Sequence, residues 1–68
     1  MDISSRIRSL RKEQGLSMEA LAEKSKVALG TLSRMENGKG GTFRTHQRIA
    51  EALGIPISEL YRGLDEPE

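Results

Sequence analysis

Apolar residues recur at three- and four-residue intervals through most of this 68-residue chain, the spacing of amphipathic helices. Ile3, Ile7 and Leu10 mark a first helix that stops at Gly15, with Asp2 or Ser4 placed to cap its start. Ser17 can cap a second helix whose inner face carries Met18, Leu21, Ala22 and Ser25. A third, around Ala28–Glu36, buries Leu32 and Met35 and leaves through Asn37-Gly38, a usual left-handed exit. After the loop Lys39-Gly40-Gly41, Thr42 caps a fourth helix with Phe43, Ile49, Ala50 and Leu53 inward and Gly54 at its end. Pro56 favours the opening of a last short helix containing Ile57, Leu60 and Tyr61. No useful length alternates with period two and β-branched residues do not cluster, so the pattern predicts an all-α fold of five short helices.

A chain of this length makes one compact domain, expected over residues 1–63, with residues 64–68 as an acidic tail or the start of a linker. Cysteine is absent and there is one histidine, so neither a disulfide nor a metal site is expected, and no cofactor is implied. No apolar run approaches the roughly 20 residues that cross a bilayer, and no signal-peptide core is seen; the expectation is a cytoplasmic protein. Net charge is only +1, but it is unevenly spread. Residues 1–50 hold ten of the eleven Lys/Arg against five acids, and residues 51–68 hold one Arg against five acids. That asymmetry suits an anionic partner met on one side, although ordinary solvated surface would look the same.

The stretch from Ser17 to Gly38 describes a helix, a tight break near Lys26 and a second helix. Small Ala22 stands where the two helices approach, while Val27, Leu32 and Met35 fill the angle between them. This is the helix-turn-helix pattern, whose second helix lies in the major groove of DNA. A plain helical hairpin would share the size and spacing. More specific is the ordered set Ile3-Ser4-Ser5-Arg6-Ile7, Arg11, Gly15-Leu16-Ser17, Leu21-Ala22, the run from Thr31 to Lys39, the run from Ile49 to Ile55, and Leu60. Over residues 3–62, without insertion, the chain resembles the Cro/cI-type (XRE) helix-turn-helix family of phage repressors and related bacterial regulators.

The resemblance implies a compact five-helix, lambda-repressor-like domain that binds double-stranded DNA as a homodimer and acts as a transcriptional regulator. It places Leu29, Gly30, Thr31, Ser33 and Arg34 at base-reading positions. Arg34 could grip a guanine edge, a contact worth about 1–3 kcal/mol of discrimination. Leu29 offers only apolar contact, for example to a thymine methyl, and Gly30 permits close backbone approach. Phosphate candidates are Asn37, Lys39, Thr42, Arg44 and, through its helix-terminal amides, Met18. Arg11 is set aside, because in this family an arginine there pairs with the glutamate matching Glu36. Ile55, Pro56, Ile57 and Arg62 match the dimer contact, although Ile55 and Ile57 would serve equally as the last core residues.

Four residues depart from the family pattern. Met18 replaces a glutamine, Lys26 stands where the break often carries glycine, and Ala28 replaces a Ser/Thr cap. His46 takes a position usually given to an aliphatic core residue, where a half-buried, hydrogen-bonded histidine is expected. The Gly38-Lys39-Gly40-Gly41-Thr42 run lacks the order of a phosphate-binding loop and any preceding strand. No spacing suggests a catalytic triad, so an enzyme is not expected. The competing reading is a helical protein-interaction module on the same scaffold, with little or no base reading.

Overall fold

The computed structural model describes residues 2–62, which form five helices and no strand. They are α1 (Ile3–Glu13), α2 (Met18–Ser25), α3 (Leu29–Glu36), α4 (Phe43–Leu53) and α5 (Ile57–Leu60). The domain end expected at residue 63 and the acidic stretch 64–68 lie outside the described residues. Each helix sends one fully buried side chain to a common centre: Ile7, Leu21, Leu32, Ile49 and Leu60. Ala22, Val27, Met35, Ala50, Ala52 and Leu53 complete the core. Helix α4 packs on α2, α5 and α1, whereas α3 packs on α2 and α1. The outer face of α3 is thereby left open.

Local chemistry explains where the helices begin. Asp2 Oδ1 accepts from the Ser5 amide at 2.9 Å and the Ser4 hydroxyl at 2.7 Å. Those bonds favour the carboxylate and lower the Asp2 pKa to about 2. Ser4 is thus not the cap; it is buried and serves the cap. Ser17 Oγ accepts from the Ala20 amide at 3.0 Å, and Thr42 Oγ1 from the Thr45 amide at 3.2 Å. Ala28 opens α3 with no side-chain cap.

Four of the five helices close by one device. A residue in the left-handed region bonds back one turn and its successor bonds back further; Leu16, Val27 and Ile55 thereby turn an apolar side chain inward, while after α3 the successor is exposed Lys39. The reaching amides are Leu16 to Arg11 O at 3.0 Å, Val27 to Ala22 O at 3.2 Å, Lys39 to Arg34 O at 2.8 Å and Ile55 to Ala50 O at 3.0 Å. Glycine holds the left-handed position in three cases, but Lys26 holds it at φ 60° in the break between α2 and α3. A Cβ is strained in that region.

Polar contacts lock α1 across the other helices. Glu36, 5% exposed, accepts from Arg11 Nε at 2.8 Å and Arg11 Nη2 at 3.0 Å. Arg11 Nη1 also donates to Leu16 O, and Arg8 Nη2 to Glu36 O, both at 2.9 Å. Arg6 Nη2 donates to Glu59 O at 2.9 Å, and Gln14 Nε2 to Leu53 O at 2.7 Å, tying α1 to α5 and α4. One expectation fails. Phe43 is 58% exposed, because side chains lean toward a helix N-terminus and the first residue of α4 leans past the end of the core.

Arg11→Met is expected to destabilise the domain by about 3–5 kcal/mol in urea denaturation, since it leaves Glu36 buried without its main partner. The double variant Arg11→Met/Glu36→Leu should recover most of that loss. Lys26→Gly should raise stability by about 0.5–1 kcal/mol, relief of left-handed strain outweighing the entropy of glycine.

Candidate nucleic-acid interface

The open face of α3 carries Leu29, Gly30, Thr31 and Arg34, all exposed, while Ser33 is half-buried behind them. The helix ends with the Lys39 amide bonded to Arg34 O, which folds the following loop back beside Arg34. As a result Thr31, Arg34, Lys39, Gly40 and Gly41 line one concavity of about 130 Å³. Two cations, one hydroxyl and a loop of exposed backbone therefore converge on a single hollow. The arrangement suits a phosphate oxygen more than a flat base edge.

The electrostatic setting is one-sided. From Lys26 to Ala50 the chain contains five Lys/Arg and a single acid, Glu36. Burial and the contact with Arg11 take that acid out of the surface field. No exposed carboxylate in this stretch opposes an approaching anion.

Other expected site residues stand apart from the hollow. Met18, the first residue of α2, is half-buried and packs against the core, leaving its helix-terminal amides as its polar resource. Thr42 Oγ1 is occupied by the Thr45 amide and lies 3.0 Å from Thr45 Oγ1, while Arg44 beside it is exposed. Asn37 spends its side-chain amide on Ser33 O at 2.9 Å, closing α3. Ile55 and Ile57 are half-buried against the core, Pro56 is exposed, and Arg62 meets Glu59 at 3.1 Å. Gly40 and Gly41, whose backbone N–H groups the sequence reading offered to phosphate with the rest of the loop, line the hollow beside Lys39. The sequence reading missed a larger groove of about 480 Å³ between the end of α2 and α4, lined by Lys24, Lys26, Arg48 and Glu51 among others.

Gly41 and His46 brace the loop from behind. At Gly41 φ is +103°, and a Cβ would come within 2.9 Å of His46 Nε2 and 3.1 Å of the Met35 side chain. The loop thus lies directly on the core, which only glycine permits here. His46 is the half-buried, hydrogen-bonded histidine the sequence suggested: Nδ1 sits 2.9 Å from Tyr61 Oη, with the rings edge to face. Its Nε2 is buried without a hydrogen-bond partner among the described residues. Burial pushes the imidazole pKa down from its ordinary 6.5.

A model of the family described as helix-turn-helix matches residues 7–60. The chain is 43% identical over 56 residues to the HTH-type transcriptional repressor RghR of Bacillus subtilis (strain 168), covering 79% of this chain and 42% of that protein. It is 30% identical over 66 residues to the HTH-type transcriptional regulator DdrOP3 of Deinococcus deserti, covering 96% of this chain and 51% of that protein. The chain spans about half the length of these curated relatives.

Because folding favours the neutral imidazole of His46, its contribution is intact above pH 6.5 and lost as pH falls below that value. Thermal melts from pH 7.5 to 5 should show a falling Tm that His46→Gln flattens. The Asp2 carboxylate acts separately: its contribution persists above 3.8 and disappears as pH falls toward about 2.

Proposed function

The chain belongs to the Cro/cI-type helix-turn-helix family, and from that premise we propose that it is a transcriptional regulator binding double-stranded DNA with α3 in the major groove. The observation that carries this reading is the open face of α3, where Arg34 and Lys39 share one hollow and the one acid of the stretch from Lys26 to Ala50 is buried and paired. Affinity then comes mainly from phosphates held by Lys39, Arg34, Arg44 and the amides opening α2 and α4. Arg34 is shared: its place in the hollow with Lys39 favours a phosphate, and its position on α3 leaves a guanine edge within its repertoire.

A homodimer is the second part of the proposal, with two copies of α3 entering successive major grooves about one helical turn apart. Ile55, Pro56, Ile57 and Arg62 form the contact, exposed Pro56 and half-buried Ile57 supplying its apolar centre. With the chromosome as partner, the protein works in the cytoplasm on the nucleoid. The exposure of Leu29 and Phe43 favours one other reading, a protein-interaction module, which would bind no duplex even at low salt.

Selection from a random duplex library, followed by titration of the selected site with salt, tests all of this. If each of two protomers neutralises about three phosphates, log K should fall with log salt at a slope of roughly −5. Lys39→Ala should weaken all sequences alike and reduce the slope by about one per protomer. Selected sites without two-fold symmetry, or one protomer per site in sedimentation, would overturn the dimer.

A further inference from the structure

The imidazole of His46 is tethered on one side and bare on the other. Nδ1 meets Tyr61 Oη at 2.9 Å, and the ring stands edge-on to the phenol. Nε2 is buried without a hydrogen-bond partner among the described residues, and it is the atom nearest to where a Cβ on Gly41 would stand. A neutral ring suits this place: Nδ1–H donates to the phenol oxygen, and the lone pair on Nε2 needs no donor. A protonated ring does not, because its second N–H is buried without an acceptor. The surroundings offer no compensating charge. Tyr61 faces the ring from α5 as a titratable phenol, Gly41 faces it from the loop, and the Met35 side chain of α3 meets the same point. Of the acids on α3 and α5, Glu36 is paired with Arg11, and Glu59 with Arg6 and Arg62. On α4 itself, Glu51 lies in the groove toward α2. The other charged groups nearby in the chain, Arg34, Lys39, Arg44 and Arg48, are cations.

We propose that His46 is a positioning residue for the loop 38–41, holding it in its phosphate-gripping form only while the imidazole is neutral, so that DNA binding weakens in mild acid. The proposal rests on the DNA-binding reading above. Gly40 and Gly41 make no backbone hydrogen bond among the described residues, and Gly41 is held by packing on Met35 and His46. When Nε2 takes a proton, the ring stays tethered to Tyr61 and the two glycines are the part that yields. Their movement removes one wall of the hollow and shifts Lys39, the residue before them, relative to Arg34. A histidine that merely added a positive charge would do the opposite, tightening the hold on a polyanion as pH falls. Linkage makes the effect reciprocal: a phosphate that keeps the loop closed weakens proton binding by His46 by the same factor. Burial holds the His46 pKa below its ordinary 6.5, which puts the change on the acid side of neutrality.

The chain has a single histidine, so one Hε1 signal in NMR reports its protonation. In the free wild-type chain, the amide signals of Gly40 and Gly41 should titrate with the same midpoint as the ring. On a duplex selected from a random library, affinity should fall about fivefold or more from pH 7.5 to 5, the lower end of ordinary coupling between linked sites. Circular dichroism at each pH establishes that the helices are intact. The His46 midpoint should lie lower in the complex than in the free chain. His46→Gln, which can keep a bond to Tyr61 but takes up no proton, should flatten both the loop titration and the affinity profile. Glycine amides that ignore the His46 titration, or affinity that stays level or rises as pH falls, overturn the inference and leave DNA binding standing. A wild-type chain that binds no duplex at any pH in low salt removes the functional reading and the DNA half of this inference with it, whatever the loop titration shows.

Discussion

The buried carboxylate of Glu36 holds the frame in which everything else is placed. It sits in the last turn of α3, where the carbonyl ends of the helix already make negative charge unwelcome. Burial there is tolerable only because the forked Arg11 guanidinium meets both oxygens. The same arginine grips Leu16 O in the turn between α1 and α2, and Arg8 holds the Glu36 carbonyl. One ion pair thus fixes α1 against the end of α3 and against the turn that launches α2. Since the loop bearing Lys39 starts immediately after Glu36, its position follows from the same contact.

A second constraint acts at the other end of α3. The break at Lys26 brings Val27 into the core through its amide bond to Ala22 O, and the small side chain of Ala22 lets the two helices close. Pinned at Val27 and Glu36, and packed inward through Leu32 and Met35, α3 has one face free. Its Leu29, Gly30, Thr31 and Arg34 are offered to a partner by rigid scaffold, so binding needs little ordering of the backbone.

The helices and their inner faces were legible because a 3.6-residue repeat leaves a local trace at Ile7, Leu21, Leu32, Ile49 and Leu60. Caps at Ser17 and Thr42 were legible locally too, and the first was narrowed to Asp2 or Ser4. The pairing of Arg11 with Glu36 was reached through family resemblance, since nothing in the spacing of two residues 25 apart announces a contact. Arg6 with Glu59 and Gln14 with Leu53 O were missed outright, because a side chain reaching a distant carbonyl has no sequence signature. Phe43 misled because its helical angle is right and its place at the helix start is wrong. The hollow at Arg34 was half legible: Lys39 was expected, but its meeting with Arg34 depends on an amide bond between them.

Charge and shape divide the work on this surface. Lys39 and Arg44 stand exposed on it, and the burial and pairing of Glu36 leave no exposed carboxylate between Lys26 and Ala50 to oppose an anion. Neither effect distinguishes sequences. The polar side chains that could do so are few, because Met18 and Ala28 replace hydrogen-bonding residues of the family and Asn37 and Thr42 spend theirs inside the fold. On the proposed function, sequence preference is then left to the exposed face of α3 and to the ease with which a given DNA deforms. The loop behind that surface has its own support, with Gly41 lying against the Met35 side chain and the His46 ring. Packing behind Gly41 thus sets where the loop bearing Lys39 stands, and the cationic hollow is positioned through Met35 and His46, which do not line it.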